Sequence, residues 1–232
     1  GGSSCLNYMI YIRGHRADYD GWRDLGNQGW SYDEVLPYFR RAERNARLGG
    51  AHHGRTGPLD VTDIEEPAPI IRKMIEAGAG SLDVPIVEDL NTPEREGMSP
   101  YQMTIRDGQR CSTAMAYLEP AMKRSNLTVI SEALVDRVII QDGRAVGVRY
   151  ATPEGKQVAN ATKEVILCGG ALGSPSILLR SGVGPADELA ALQIPCVKDL
   201  PGVGKNLQDH LVGIVAHKVK DNAVLSINKP SI

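Results

Sequence analysis

The feature that most constrains the fold is an apolar segment that runs directly into a cluster of small residues. Val165-Ile166-Leu167 is predicted to be a buried strand, and Cys168-Gly169-Gly170-Ala171 follows it at once. A helix is predicted next, with Ser174 as N-cap, Pro175 as first residue and Gly182 as stop. An α/β sheet brings its backbone close to a cofactor by this order of strand, turn and helix N-terminus. A tight turn needed only for packing explains the same residues, so both interpretations stay open.

The first half of the chain is predicted to consist of helices and glycine-rich loops. Ser31 and Glu34 form a capping box before apolar residues at helical spacing, and Pro37 is expected to kink this helix or delay its start. The other elements expected here are a strand over 58–61, a helix over 70–79 and a helix that begins near Ser112 or Thr113.

The second half is predicted to be richer in strands. Asp142-Gly143 is a strong hairpin signal between two β-rich segments. The predicted strands are 127–131, 136–141, 145–150, 158–161 and 164–167, and a short helix is predicted over 186–192. The mixture indicates an α/β fold with α+β character.

Charge and cysteine spacing exclude several classes of protein. The 26 Lys and Arg nearly balance the 28 Asp and Glu, so no basic footprint for nucleic acid exists. No apolar run approaches the roughly 20 residues of a membrane span, and no signal peptide is visible. The four cysteines lie far apart, which favours a reduced, cytoplasmic compartment and predicts no metal site.

Two pairs of residues that contain histidine could have a functional role, one as a metal site and the other as a general base. His52-His53 suggests a metal, but adjacent histidines do not face one ligand on a regular element, so a solvated loop is the prediction. Asp209-His210 suggests an oriented general base, but a structural pair at a helix end or in the interior is preferred.

Two long motifs give the chain a family resemblance. The run from Gly1 to Gly14 is similar to the first signature of the glucose–methanol–choline (GMC) family of flavin-dependent alcohol oxidoreductases. The run Gly170-Ala171-x-x-Ser174-Pro175 and onward to Gly184 is similar to its second signature. The motifs occur in the family's order, and the resemblance covers nearly the whole chain. Within the family, the chain most resembles the choline-dehydrogenase-like members.

The resemblance implies an FAD-binding, Rossmann-like domain portion joined to a substrate-binding domain portion. It predicts flavin-contact elements over 1–60, a substrate-domain segment over 61–125, FAD-domain strands over 126–210 and the start of the substrate-domain sheet over 211–232. The phosphate-binding glycine loop is expected upstream of Gly1, and the histidine base downstream of Ile232. No catalytic residue is therefore assigned within the chain.

The family also implies which residues contact the cofactor. Gly2, Ser3, Asn7, Tyr8, Met9 and Ile10 would line the flavin, because small residues admit its planar ring and an amide both donates and accepts. The backbone of Val135 would meet the adenine, and Gly170 and Ala171 would pass near the dinucleotide. No histidine lies within residues 1–13, so FAD is expected to bind noncovalently.

The activity implied is oxidation of a small alcohol by hydride transfer to flavin N5, with choline or a related primary alcohol as first candidate. The electron acceptor is not identified by the sequence, and the segment alone is expected to be inactive. Two alternatives stay open: a flavin-retaining hydroxynitrile lyase of the same fold, and a catalytically silent interaction domain.

Overall fold

The computed structural model describes residues 2–64, 67–93 and 95–213. Within these residues the chain divides into two units, a first unit over residues 3–127 and a second over residues 128–213. The predicted beginning of a substrate-domain sheet over 211–232 lies almost entirely outside the described residues. The division into four segments stays a prediction.

The first unit combines short strands with four α-helices, the last of them only three residues long. Its elements are β1 (Ile10–Tyr11), α1 (Arg16–Asp24), α2 (Tyr32–Ala42), β2 (Glu43–Asn45), β3 (Leu59–Val61), α3 (Pro69–Leu82), β4 (Gln102–Met103), β5 (Ile105–Arg106), β6 (Gln109–Arg110), a π-helical turn (Ala114–Leu118) and α4 (Glu119–Ala121). Strands β2 and β3 pair in parallel, whereas β1–β4 and β5–β6 are antiparallel pairs. The β1–β4 pair therefore joins segments of the unit that lie far apart in sequence, whereas β5–β6 is a local hairpin.

The two N-terminal helices begin at capping boxes. Ser31 and Glu34 cap α2 as predicted, and Pro37 lies inside the helix without delaying its start. Helix α1 was not predicted, because its N-cap is His15, a residue type outside the preferred capping set. His15 Nδ1 accepts from Ala17 N, and Asp18 accepts from His15 N to complete the box.

The second unit is built on a three-stranded antiparallel sheet. Its elements are β7 (Leu134–Gln141), β8 (Arg144–Thr152), β9 (Gly155–Asn160), α5 (Gly170–Arg180), β10 (Val183–Gly184), α6 (Ala186–Ala191) and β11 (Lys198–Asp199). Asp142 and Gly143 both adopt positive φ, of 50° and 76°, which confirms the predicted hairpin. Ser181 Oγ, just after α5, accepts from Val138 N at 2.8 Å and ties the helix to β7.

Two predicted strands and one predicted N-cap are wrong. Residues 127–131 and 164–167 form no strand, because no described strand pairs with them to complete a ladder. Helix α5 begins at Gly170, so Ser174 is not its N-cap and Pro175 lies inside it. Ser174 Oγ instead accepts from Gly169 N at 2.9 Å, which fixes the turn that enters the helix.

Two general expectations concern the membrane and the cysteines. Among the described residues, no helix is both long and apolar enough to cross a membrane. Cys5, Cys111, Cys168 and Cys196 form no disulfide.

Candidate cofactor site

The loop that precedes β1 carries most of the predicted flavin contacts. Ser3–Cys5 forms a single 3-10 turn, and Ser3 O accepts from Leu6 N and Asn7 N at 2.9 and 2.8 Å. Asn7 Oδ1 accepts from Met9 N at 3.1 Å and from Arg110 Nη1 at 2.8 Å. Asn7 therefore caps the turn that leads into β1.

Met9 has an unusual backbone conformation. Its φ is +61°, a region that a methionine adopts only when its surroundings impose it. Thr104 holds it there, because its N–H and hydroxyl donate to Met9 O at 2.8 and 3.3 Å. A strained residue held this firmly is typical of a ligand-binding loop.

The loop presents its side chains outward. Leu6 and Tyr8 are each 87% exposed, and Gly2, Ser3, Asn7 and Ile10 are exposed as well. The neighbours of Asn7 in the sequence therefore do not cover its side chain. Among the described residues, the contacts of the Asn7 side chain are made by Oδ1, and its Nδ2 group lies on an exposed loop.

The second unit places Val135 and the entry to α5 beside one cavity. A cavity of about 460 Å³ is lined by Val135, by Gly169 and by the extended segment before it. Val135 O already accepts from Arg180 Nη2 at 3.3 Å, and a register shift follows Val135 in β7. Val135 and Gly169, which lie 34 positions apart in the sequence, thus share a surface.

The first turn of α5 is open. Gly170 has φ +74°, and a Cβ added at Gly170 or Gly173 would meet no described atom within 4 Å outside the helix's own backbone. Ala171 lines a second cavity of about 620 Å³ with residues of the 204–208 segment. The first N–H groups of a helix lack partners within the helix and attract anions, so this turn fits a phosphate-bearing ligand.

A buried polar cluster in the first unit was missed. Arg13, Glu43, Asn45, His53 and Asn91 are all buried, and Glu43 accepts from Arg13 Nη2 at 2.5 Å. The prediction of a solvated His52-His53 loop is wrong for His53, which hydrogen-bonds to Glu43 and Asp89 at 2.8 Å each. The sequence carried no local signal, since these partners are 10 and 36 residues away.

The alternative general base is also placed differently from its prediction. Asp209 and His210 are both exposed and lie outside any helix, so they are neither a helix-end pair nor a buried one. Asp209 and His210 make a local contact, in which Asp209 Oδ1 accepts from His210 N at 2.8 Å.

One family model and several known proteins match this chain. The family model described as GMC oxidoreductase matches residues 1–212. The oxygen-dependent choline dehydrogenase of Pseudomonas fluorescens is 50% identical over 216 residues, which cover 91% of this chain and 38% of that protein. The chain therefore spans well under half the length of such relatives. The corresponding enzyme of Paraburkholderia phymatum is 44% identical over 240 residues and covers the whole chain.

Solved structures agree with these sequence matches. Pyridoxine 4-oxidase from Mesorbium loti superposes with a TM-score of 0.84 at 40% identity, covering 90% of this chain and 42% of its own. An FAD-dependent oxidoreductase from Chaetomium thermophilum also gives 0.84, at 33% identity, covering 90% of this chain and 38% of its own.

Proposed function

The chain belongs to the GMC oxidoreductase family, and on that premise we propose that the protein containing it oxidises an alcohol to an aldehyde or a ketone with noncovalently bound FAD. The family match over residues 1–212 is the observation that carries this proposal. Choline or a related primary alcohol is the proposed substrate, because the relative that is 50% identical is a choline dehydrogenase. When bound, FAD supplies the oxidant for the two-electron step.

The residues present fit this cofactor. In the first unit, Asn7 Nδ2 is a donor on an exposed loop whose shape is held by Arg110 and Thr104. A flavin carries hydrogen-bond acceptors along one edge of its ring, so the role proposed for Asn7 is to orient that edge. In the second unit, the open first turn of α5 offers N–H groups to a phosphate, and Val135 lines an apolar cavity. The remaining proposed contacts are Gly2, Ser3, Tyr8, Met9, Ile10, Gly170 and Ala171.

The proposed activity is tested by anaerobic reduction of the flavin in the full-length protein. Choline and pyridoxine are added separately, with tetramethylammonium as the control that keeps the cation and lacks the hydroxyl group. We expect the flavin absorbance to bleach with an alcohol and not with the control. Cleavage of a hydroxynitrile without bleaching would instead identify a lyase, and a preparation without flavin bands would identify a silent domain.

Asn7→Asp separates the proposed flavin contact from the turn cap. The aspartate keeps an acceptor for Met9 N and Arg110 but loses the Nδ2 donor. Loss of one hydrogen bond to a cofactor costs about 1–3 kcal/mol, so the Kd for FAD should rise about tenfold or more. The melting temperature of the apoprotein should change little. Fluorescence titration with FAD and thermal melting measure the two quantities.

The matched control is Asn126→Asp, which adds the same charge at another exposed position of the first unit. It should leave the Kd for FAD unchanged. An unchanged Kd in Asn7→Asp as well would remove Asn7 from the cofactor contacts, whatever happens to the melting temperature.

The 232-residue chain by itself is expected to oxidise no alcohol and to bind FAD weakly. The reason is that the family's phosphate-binding glycine loop and its histidine base are predicted outside residues 1–232. A dye-linked choline assay and equilibrium dialysis with FAD test this expectation. Turnover, or a micromolar or tighter Kd for FAD, would contradict it.

A further inference from the structure

Five polar residues of the first unit form a closed ring of hydrogen bonds. Arg13 Nη2 donates to Glu43 Oε2 at 2.5 Å, and Glu43 Oε1 lies 2.8 Å from His53 Nδ1. His53 Nε2 lies 2.8 Å from Asp89 Oδ2, and Asp89 Oδ1 accepts from Asn91 N at 2.8 Å. Asn91 Oδ1 accepts from Arg13 N at 2.8 Å and closes the ring. The ring thus joins three separate stretches of chain to the segment around Arg13.

The surroundings of His53 in this ring favour the doubly protonated imidazolium. Both of its ring nitrogens face carboxylates, which only accept, so both nitrogens must donate. Burial by itself lowers the pKa of an imidazole. The hydrogen bonds to Asp89 and Glu43, with the charges of those carboxylates, outweigh burial and raise the pKa of His53 to about 9. Two cations, Arg13 and His53, then balance two carboxylates.

Members and neighbours of the ring hydrogen-bond to the backbone of Tyr11 and Arg13, next to the proposed flavin loop. Asn91 Nδ2 donates to Tyr11 O at 3.4 Å, and Arg95 Nη2 donates to Arg13 O at 2.8 Å. Tyr11 pairs with Gln102 in the β1–β4 ladder, and Gln102 Oε1 accepts from Asn45 Nδ2 at 3.0 Å. Asn45 Nδ2 in turn donates to Glu43 at 2.8 Å. The backbone from Tyr11 to Arg13 is therefore held from both sides.

We propose that His53, through the ring of Arg13, Glu43, Asp89 and Asn91, is a positioning residue that holds the 7–13 segment in its cofactor-binding conformation. The identity of the cofactor in this inference rests on the proposed function. The connection between the ring and the 7–13 segment does not depend on it. The chain runs only from Arg13 to Met9 between the ring and the strained loop, and β1 lies within that stretch. Loss of the hydrogen bonds of the ring would therefore remove the restraint on the C-terminal end of the 7–13 segment.

The restraint that the ring places on the 7–13 segment is expected to depend on pH. A pKa raised on folding stabilises the folded state fully below the ordinary value of 6.5, and that stabilisation is lost as the pH rises toward 9. Among the described residues, the other charged or titratable groups near the two carboxylates include Tyr11 and Arg13 beside Glu43, and Arg47 and Asp63 beside Asp89. An arginine side chain is protonated at every pH in this range, so His53 is the cation that the ring loses.

Amide hydrogen exchange tests the link in the apoprotein. Glutamine at position 53 cannot donate to two carboxylates in the geometry of an imidazolium, so His53→Gln should lower protection of residues 8–14 about tenfold at neutral pH. Residues 144–152 in β8 of the second unit serve as internal reference and should be unchanged. In the wild type, protection of 8–14 should fall between pH 6.5 and about 9, after correction for intrinsic exchange. The matched control is His210→Gln, at an exposed histidine.

A loss confined to residues 8–14 supports the proposal. An equal loss in both regions shows a general effect on stability and overturns it, and no loss in either region overturns it too. The wild-type pH series decides the matter even if His53→Gln does not fold. FAD titration of the full-length protein supplies the second measurement: the Kd should rise about tenfold in His53→Gln. An unchanged Kd would overturn the cofactor part of the proposal, whereas a wild type that binds no FAD contradicts the proposed function and leaves the exchange result standing.

Discussion

Glu43→Gln is expected to lower the free energy of unfolding by about 3–5 kcal/mol, because it removes one partner of a buried ion pair. Glu43 is fully buried, and its two oxygens accept from four donors. Arg13 Nη2 and Gly54 N donate to Oε2 at 2.5 and 3.1 Å, and Asn45 Nδ2 and His53 Nδ1 face Oε1 at 2.8 Å each. A glutamine directs its NH₂ group at two of these donors in either orientation.

The charge of Glu43 persists at neutral pH. Burial by itself raises the pKa of a carboxyl group, but the hydrogen bonds from His53, Asn45 and Gly54, with the charge of Arg13, lower the pKa of Glu43 below its ordinary value. The substitution therefore removes a full negative charge and leaves Arg13 and His53 opposite Asp89 alone. A domain is stable by only about 5–15 kcal/mol, so this loss is large.

Urea-induced unfolding measures the effect, and Glu88→Gln is the matched control. The Glu88 side chain is 91% exposed and lies 3.6 Å from Arg47, so the same substitution there should cost less than about 0.5 kcal/mol. Equal costs at the two positions would show that the buried cluster contributes nothing beyond an ordinary surface pair.

Local interactions made part of the fold predictable from the sequence. The Ser31–Glu34 capping box, the Asp142-Gly143 hairpin and the helix over 186–192 depend on residues within a few positions of one another, and the structure has all three. The predicted helix over 70–79 occurs as α3 over Pro69–Leu82, longer at both ends. Such elements are specified by capping and turn chemistry that a single sequence displays.

Elements that depend on distant partners were not predictable. The segment 164–167 has the composition of a strand, but a strand needs a neighbour, and composition does not reveal whether one lies beside it. His53 looked solvated because its loop is rich in glycine, whereas its burial comes from Glu43 and Asp89. Asn7 lies among apolar residues in the sequence, yet those residues are themselves exposed, which their composition did not indicate.

The candidate site also has parts that could be predicted from the sequence and parts that could not. The positions of Asn7 and Met9 in one loop, and of Gly170 and Ala171 at one helix start, follow from their closeness in sequence. Their roles as cofactor contacts came from the family resemblance and stay predictions. The ring that holds the 7–13 segment joins residues between positions 13 and 91. Because these residues form no motif in the sequence, the ring was not predicted.

Gly54→Ala is expected to cost about 3 kcal/mol or more, because the new methyl group has no room. A Cβ at this position would lie 1.8 Å from Arg40 O and 2.8 Å from Glu43 O, both of them backbone atoms. The backbone of Gly54 is also fixed, since its N–H donates to Glu43 Oε2 and its carbonyl accepts from Asn45 N at 2.9 Å. Relief of the clash must therefore move either the C-terminal end of α2 or the buried ring.

Gly21→Ala is the matched control for this substitution. Gly21 lies in the middle of α1 with nothing within 4 Å of an added Cβ, so alanine there should stabilise the protein by about 0.5–1 kcal/mol. Urea-induced unfolding compares the two variants. A cost below about 1 kcal/mol for Gly54→Ala would mean that α2 and β2 separate easily at this point. The ring would then lack the rigid support that its hold on the 7–13 segment requires, and the pH dependence expected for His53 should be weak as well.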